Sequence, residues 1–241
     1  MIVVENLTAT LSSGKNILDK ISFSLPKGSK LAIIGANGSG KSTLLRALLG
    51  LIPAGFTTYN LFGTSFFNLS LRERAKMMSY ISQQQVPEGD ITACELGRYI
   101  YHDSQQVNRM IIEKSLKASD ALQFATRTLL SLSGGERQRV YMAGALAQET
   151  PIIMLDEVNA ALDPKHREAL KQLMIKQVEK TIISITHDLN SLDCYTHLLA
   201  LKAGKLAAFG EINTVLTPAL LAELFDYQFQ MVSHNGQIRY F

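Results

Sequence analysis

The residues best suited to chemistry lie in a glycine-rich segment, Gly35-Ala36-Asn37-Gly38-Ser39-Gly40-Lys41-Ser42. This segment matches the pattern G-x-x-x-x-G-K-[ST] in full, after an apolar strand pattern and before a helical one. Glycines let a backbone wrap tightly around an anion, and the free N–H groups at a helix N-terminus favour phosphate oxygens. The segment therefore predicts a loop that binds the phosphates of a nucleotide.

The groups of this phosphate loop (residues 35–43) have separate expected tasks. Lys41 is expected to reach the β- and γ-phosphates, Ser42 to supply a hydroxyl to Mg²⁺, and Thr43 to bond on the α-phosphate side. A glycine-rich turn before a purely structural helix is the alternative, which the full match in a strand–loop–helix context disfavours. The predicted nucleotide-binding residues are Gly35, Asn37, Gly38, Ser39, Gly40, Lys41, Ser42 and Thr43.

Two adjacent carboxylates follow a continuous apolar run at residues 152–155. Such a run is typical of a parallel strand buried on both faces, and ligands of α/β sheets bind at the carboxyl ends of the strands. We expect Asp156 to hold Mg²⁺ through water and Glu157 to polarise the attacking water. Acidic residues are common in loops, so the two carboxylates alone do not indicate a functional site. They do so together with the phosphate loop upstream.

A second phosphate-binding device is predicted at Leu132-Ser133-Gly134-Gly135-Glu136-Arg137-Gln138, here called the SGG segment (residues 132–138). Glycines remove Cβ bulk, so that free N–H groups and the Ser133 hydroxyl can bind a γ-phosphate. A serine N-cap followed by a glycine pair is the structural alternative for Ser-Gly-Gly alone. A small domain can hardly fold both devices around one phosphate. The chain is therefore predicted to work as a pair.

Three further positions are candidate sensors of the nucleotide. Gln83 closes a strand pattern, although Gln84 and Gln85 leave open which glutamine acts. His187 follows the apolar strand pattern at 181–185, so it is expected at the same sheet edge as Asp156, near the γ-phosphate. Asp163 lies in a loop just past Glu157 that is expected to cross to a partner subunit.

The composition is that of an ordinary globular protein and disfavours some partners. The chain has 241 residues, 46% of them hydrophobic, and a net charge of +3 from 24 basic and 21 acidic residues, a balance too even to predict nucleic-acid binding. Cys94 and Cys194 lack C-x-x-C spacing and are expected to be reduced thiols. No apolar run approaches the roughly 18–20 residues that span a bilayer, and the N-terminus lacks a secretory-signal pattern. Any membrane role is expected to act through a partner.

Strand and helix patterns alternate along the chain, which favours an α/β fold with a mainly parallel sheet. Residues 91–125 have a helical pattern and are interpreted as a lobe inserted into the α/β core. Strands are predicted at 3–7, 21–25, 31–34, 55–62, 78–82, 152–155 and 181–185, helices at 41–51, 70–77, 135–147, from Pro164 and at 218–225, and hairpins at 198–209 and around Asn235-Gly236.

These motifs together resemble the ATP-binding subunits of ATP-binding cassette (ABC) transporters, in the family's order and over nearly the whole chain. The resemblance implies a P-loop NTPase fold with a mainly parallel sheet, an antiparallel β subdomain and an inserted α-helical subdomain at about 86–147. It implies one domain over 1–241, with a C-terminal extension at about 210–241. Within the family, Tyr80-Ile81-Ser82-Gln83-Gln84-Gln85 and the tail from Gly210 through Leu216-Thr217-Pro218 are similar to importers of vitamin B12, iron–siderophore complexes and haem.

The resemblance also implies a mechanism and partners. Two copies would bind head to tail, with two ATP molecules between each phosphate loop and the opposing SGG segment. It implies ATP hydrolysis with Mg²⁺ held by Ser42, Gln83 and Asp156, catalysis by Glu157, His187, Gln83 and Lys41, and nucleotide contacts from Ser133, Gly134, Gly135 and Asp163. Two membrane permease subunits would dock near Gln83 and the helical lobe, which places the chain at the cytoplasmic face of the cell membrane and links it indirectly to a substrate-binding protein.

The sequence departs from the family's pattern in three places, which together involve four residues. Leu11 stands where an adenine-stacking aromatic residue is expected, so adenine stacking is weaker or comes from elsewhere. Val158-Asn159 replaces the usual Pro-Thr after the catalytic glutamate, and Glu136 replaces the commoner glutamine. Both carboxylates of the hydrolytic site remain.

Other functions remain open at this stage. A soluble ABC-type ATPase acting on DNA or ribosomes usually carries coiled-coil insertions or two cassettes, and this sequence shows neither. A nucleotide-binding regulatory module without turnover is disfavoured by the intact Lys41, Asp156, Glu157 and His187. Export rather than import is a further alternative, and the transported substrate is not encoded here, since specificity in such importers lies in the partner subunits.

Overall fold

The computed structural model describes residues 1–10, 14–82, 90–100, 109–159, 162–234 and 237–240. Its strands are β1 (Ile2–Thr10), β2 (Asn16–Leu25), β3 (Lys30–Ile34), β4 (Thr58–Leu61), β5 (Thr64–Ser65), β6 (Met78–Ile81), β7 (Ile152–Asp156), β8 (Thr181–Ile185), β9 (His197–Lys202), β10 (Lys205–Glu211), β11 (Met231–His234) and β12 (Gln237–Tyr240). Its α-helices are α1 (Lys41–Leu48), α2 (Leu71–Met77), α3 (Ala93–Ile100), α4 (Arg109–Ala118), α5 (Gly134–Ala147), α6 (Pro164–Lys176), α7 (Ile212–Val215) and α8 (Pro218–Phe225).

The main sheet has the order β10-β9-β3-β8-β7-β6. All its neighbouring pairs are parallel except β10 with β9, which form the predicted antiparallel hairpin. The strands β3, β7 and β8 are buried at every residue and mostly apolar because both sheet faces are covered. Ile152 and Met154 of β7 pack in the core that includes α1, whereas Ile153 and Leu155 pack in the core that includes α5 and α6. The predicted fold class is confirmed.

A second, antiparallel sheet has the order β2-β1-β4-β5. Its buried residues join the core around α1, including Leu7, Ile21 and the fully buried Tyr59. The Tyr59 hydroxyl donates to the Leu48 carbonyl at 2.7 Å, which ties this sheet to the end of α1. This sheet therefore packs against α1 in the core that α1 shares with the main sheet.

The predicted helical subdomain at about 86–147 contains α3, α4 and α5. Ile112, Leu116 and Leu129 pack with Val140 of α5 in a core that continues to the main sheet. Residues 83–89 and 101–108 of this stretch lie outside the described residues, so its division from the rest of the chain stays a prediction. Within the described part of the chain, no helix is both long enough and apolar enough to cross a membrane.

Several element boundaries differ from the predicted ones. Helix α1 ends at Leu48, where the pattern predicted residue 51, and β1 extends from Ile2 to Thr10, beyond the predicted 3–7. The 3₁₀ helix Leu189–Cys194 and α7 were not predicted. The turn Asn235-Gly236 lies outside the described residues, although its flanking strands β11 and β12 pair antiparallel as expected. Both cysteines are free thiols in the structure.

Candidate functional site

The parallel strands β3, β7 and β8 bring their carboxyl ends to one edge of the main sheet. Asp156, the last residue of β7, pairs in register with Ile185, the last residue of β8. The phosphate loop follows β3, Glu157 follows β7, and His187 follows β8. The sequence-predicted groups of these three loops therefore meet at this edge, as expected for an α/β ligand crevice.

The backbone of the phosphate loop requires glycine at two positions. Gly35 has φ +150°, and a Cβ there would lie 2.2 Å from the Leu201 carbonyl oxygen. Gly40, the N-cap residue of α1, has φ +102°, and a Cβ would meet the Leu18 side chain at 2.8 Å. Both positions fall in backbone conformations that glycine adopts without steric cost. The loop can therefore turn directly into the N-terminus of α1.

Lys41 and Ser39 lie inside this loop. Lys41 Nζ donates to the carbonyl oxygens of Gly35 and Ala36 at 2.9 and 3.0 Å. Burial lowers the pKa of Lys41, and the carboxylates of Glu157 and Asp156 act in the opposite direction. Ser39 Oγ is buried without a hydrogen-bond partner among the described residues. The Lys41 ammonium and the buried Ser39 hydroxyl can both donate hydrogen bonds to phosphate oxygens. The loop is therefore suited to binding an oxyanion.

Ser42 and Asp156 place oxygen donors side by side at the start of α1. Ser42 Oγ donates to Asp156 Oδ1 at 3.2 Å, and Tyr80 Oη donates to Asp156 Oδ2 at 3.3 Å. Burial raises the pKa of Asp156, while the hydrogen bond from Ser42 lowers it. A hydroxyl and one carboxylate are hard oxygen ligands of the kind Mg²⁺ takes beside substrate phosphates. The donor set fits that ion.

Glu157 and His187 are bonded to each other. Glu157 Oε1 lies 2.7 Å from His187 Nε2. The Glu157 backbone has φ +52°, a left-handed conformation that is uncommon for a non-glycine residue, and its N–H donates to the Ile185 carbonyl at 3.3 Å. Beside the pair is a cavity of about 300 Å³, lined by Glu157, Asn159, Arg167, Ile185, Thr186, His187 and Asp188.

The SGG segment and Asp163 have partners elsewhere. Ser133 caps α5: its Oγ accepts from the Glu136 N–H at 3.4 Å, and its N–H donates to Glu136 Oε2 at 2.8 Å. Asp163 caps α6, accepting from the His166 N–H at 2.9 Å. In the described parts of the chain, no hydrogen bond joins Ser133, Gly134 or Gly135 to the phosphate loop. The structure thus does not bring the two predicted phosphate devices together within one chain.

Some predicted groups cannot be placed. Gln83, with Gln84 and Gln85, lies outside the described residues, as does Leu11. Gly38 and Thr43 lie in the loop and in α1 as expected, and Asn37 is exposed on the loop. The roles of these residues remain predictions.

Sequence reasoning missed Tyr80 and Arg167. Tyr80 bonds to Asp156, and Arg167 lines the cavity beside Glu157 while its Nε donates to the Leu162 carbonyl at 2.9 Å. For Tyr80, the available signal was its place in β6, the strand that neighbours β7. Arg167 lies on a helix whose position depends on tertiary packing, so no local pattern marked it.

The sequence is similar to known transport ATPases. A sequence model of the family "ABC transporter" matches residues 18–160. A "probable siderophore transport system ATP-binding protein" of Bacillus subtilis (strain 168) is 37% identical, covering 93% of this chain and 86% of the relative. A hemin import ATP-binding protein of Pseudomonas entomophila (strain L48) is 34% identical, covering 97% of this chain and 96% of the relative.

A solved structure agrees with this assignment. The dimeric structure of an ATP-binding cassette in a post-hydrolysis state, bound to ADP and Pi, is 28% identical with a TM-score of 0.79. The match covers 88% of this chain and 99% of that one. The chain therefore belongs to the ABC transporter family, as an ATP-binding subunit that hydrolyses ATP.

Proposed function

We propose that this chain drives an importer of a metal chelate or cobalamin, acting through partner membrane subunits. The relatives named for siderophore transport and hemin import match it over nearly its whole length, which supports import of such compounds. A soluble ATPase acting on nucleic acid is disfavoured by the net charge of only +3. An exporter subunit is disfavoured because the hemin relative is named for import.

ATP is proposed to bind with its phosphates in the loop at residues 35–43. Lys41 would exchange its two carbonyl contacts for oxygens of the β- and γ-phosphates, and Ser39 Oγ would donate to a phosphate oxygen. The N–H groups at the start of α1 would add their partial positive charge. Adenine has no assigned stacking partner, since Leu11 replaces the family's aromatic residue.

Ser42 and Asp156 are proposed to hold Mg²⁺, with Gln83 as a further ligand from the family resemblance. When bound, Mg²⁺ would neutralise charge on the β- and γ-phosphate oxygens. Ser42 Oγ and Asp156 Oδ1 are already 3.2 Å apart. Little rearrangement of these two side chains is therefore needed.

Glu157 is proposed as the base that accepts a proton from the attacking water. The carboxylate is bonded to His187 in this structure, at 2.7 Å. An incoming γ-phosphate would offer His187 Nε2–H a more highly charged acceptor, and this exchange would release Glu157 Oε1 from His187 so that it can accept a proton from the water. The His187–Glu157 pair would then act as a resting contact that breaks when ATP arrives. The position of this pair at the sheet edge, beside Lys41 and Asp156, is the main observation that supports ATP hydrolysis at this site.

Two copies of the chain are proposed to share each ATP. Ser133, Gly134 and Gly135 would contact the γ-phosphate held by the phosphate loop of the partner copy, and Asp163 would approach the same nucleotide across the interface. The related cassette bound to ADP and Pi is dimeric, which supports this arrangement. Two permease subunits would dock near Gln83 and the helical lobe, at the cytoplasmic face of the membrane.

Reconstitution tests the proposed transport directly. The chain is purified with its membrane partner, placed in proteoliposomes, and assayed separately with radiolabelled cobalamin, a ferric siderophore and haem. We expect one of these compounds to accumulate only with ATP and Mg²⁺, and Glu157→Gln to abolish the accumulation. Accumulation of none of them, together with tight and salt-sensitive DNA binding, would contradict the proposal.

A further inference from the structure

The Asp156 carboxylate is held through both of its oxygens. The side chain is almost fully buried, with the residue 2% exposed. Oδ1 accepts from Ser42, which belongs to the phosphate loop, and Oδ2 accepts from Tyr80 of β6. The second hydrogen bond therefore comes from a residue to which the function assigned above gives no task.

The sheet register explains why Tyr80 reaches Asp156. Tyr80 of β6 is paired in parallel with Met154 of β7. Asp156 lies two residues beyond Met154, so it faces the same side of the sheet. Both Tyr80 and Met154 pack in the core that includes α1. The phenol ring thus lies along the covered face and directs its hydroxyl toward the carboxylate.

Arg46 contributes positive charge near the phenol of Tyr80. It lies one helical turn after Ser42 on α1, so both side chains are on the same side of that helix. Burial raises the pKa of Tyr80, and the positive charge of Arg46 acts in the opposite direction. A phenol has a single hydrogen to donate and an ionised carboxylate can only accept, so that hydrogen is directed to Asp156.

We propose that Tyr80 is a positioning residue of the metal site: its hydroxyl holds Asp156 Oδ2, so that Oδ1 faces the metal position beside Ser42. This inference rests on the proposed role of Ser42 and Asp156 in holding Mg²⁺. Loss of a residue that orients a metal ligand by a hydrogen bond typically lowers metal affinity by about 10–100-fold. Tyr80 is assigned that role without touching the metal or the nucleotide.

Tyr80→Phe removes only the hydroxyl and tests the assignment. Mn²⁺ binding is followed by electron paramagnetic resonance in the presence of a non-hydrolysable ATP analogue, beside the Mg²⁺ dependence of ATP hydrolysis. We expect Mn²⁺ affinity to fall about 10-fold and half-maximal hydrolysis to need correspondingly more Mg²⁺. Turnover at saturating Mg²⁺ and analogue binding without metal should stay close to wild type, because the phosphate loop is untouched.

Tyr59→Phe is the matched control. The Tyr59 hydroxyl is buried and donates to the Leu48 carbonyl at the end of α1, away from Asp156. Its removal should lower the melting temperature and leave Mn²⁺ affinity unchanged. Equal loss of Mn²⁺ affinity in both variants would overturn the inference, since it would show general loosening around α1. Wild-type Mn²⁺ affinity in Tyr80→Phe would overturn it as well.

Asp156→Asn separates this inference from the metal site on which it rests. If Asp156→Asn loses Mn²⁺ binding while Tyr80→Phe keeps it, only the role of Tyr80 is wrong. If Asp156→Asn itself binds Mn²⁺ like the wild type, the proposed metal site is wrong. The positive outcome is loss in Asp156→Asn, a smaller loss in Tyr80→Phe and none in Tyr59→Phe.

Discussion

At the scale of single residues, the site is defined by where strands end. Asp156 is the last residue of β7 and faces α1, whereas Glu157 has left the strand in a left-handed conformation at φ +52°. Left-handed backbone at a glutamate costs of order 1–3 kcal/mol and persists only where the surroundings impose it. Here the bond from the Glu157 N–H to the Ile185 carbonyl and the contact with His187 supply that constraint. The two neighbouring carboxylates can therefore take different tasks.

Glu157→Gln tests the residue-scale account. The amide keeps the size of the side chain but cannot accept the proton of water, so phosphate release should fall by roughly 10²–10⁴-fold. ATP binding should be retained, because Lys41 and the phosphate loop are unchanged. Glu179→Gln, at an exposed position in the turn after α6, is the matched control and should hydrolyse ATP at the wild-type rate. Wild-type phosphate release in Glu157→Gln would show that another group is the base.

At the scale of elements, the start of α5 depends on a capping box. Ser133 Oγ accepts from the Glu136 N–H, and the Glu136 carboxylate accepts from the Ser133 N–H. This hydrogen bond from the backbone of Ser133 holds the pKa of Glu136 below its ordinary value of 4.5. The same arrangement of Ser70 and Glu73 begins α2 and lowers the pKa of Glu73. Capping thus fixes where the SGG segment presents its serine.

The capping carboxylate gives a pH dependence with a defined sign. A glutamate with a lowered folded-state pKa contributes stability that is complete above pH 4.5 and is lost as the pH falls through the folded-state value. Glu136→Gln keeps an acceptor oxygen but does not titrate. The melting temperature of the wild type should therefore exceed that of Glu136→Gln above pH 4.5, and the difference should shrink below it.

Glu73→Gln provides a second test of this pH dependence, at a capping box away from the SGG segment. It should show the same shrinking difference below pH 4.5, because its capping hydrogen bonds are of the same kind. A difference between wild type and Glu136→Gln that stays constant on acidification would contradict the capping account.

Local sequence signals predicted the helices and strands better than the contacts between them. Ser70 and Ser133 with a glutamate three residues on, and Pro164 after Asp163, marked helix starts that the structure shows. Apolar runs predicted β7 and β8 because strands buried on both faces need no alternation. The bond between Tyr80 and Asp156 joins residues 76 positions apart, and only the order of strands in the sheet creates it. Strand order is decided by packing of the whole chain, so no local pattern could give it.

At the scale of the whole molecule, the two phosphate devices occupy different parts of the structure. Lys41 lies at the edge of the main sheet, whereas Ser133 begins a helix that packs with α3 and α4. Their separation within one chain, together with a dimeric relative bound to ADP and Pi, supports a composite site built from two copies. In the proposed dimer, hydrolysis would be coupled to movement, because cleavage of the nucleotide would remove a contact between the two chains.

Mixing two inactive subunits tests this central claim most directly. Lys41→Ala disables the phosphate loop and Ser133→Arg disables the SGG segment, so neither variant alone should bind ATP between two copies. A mixed dimer joins the Lys41 of one chain to the Ser133 of the other, which leaves one intact site and one doubly broken site. Light scattering and bound-nucleotide counting should show ATP-dependent dimers with one ATP each in the mixture. Absence of dimers in the mixture, as in each variant alone, would contradict the account.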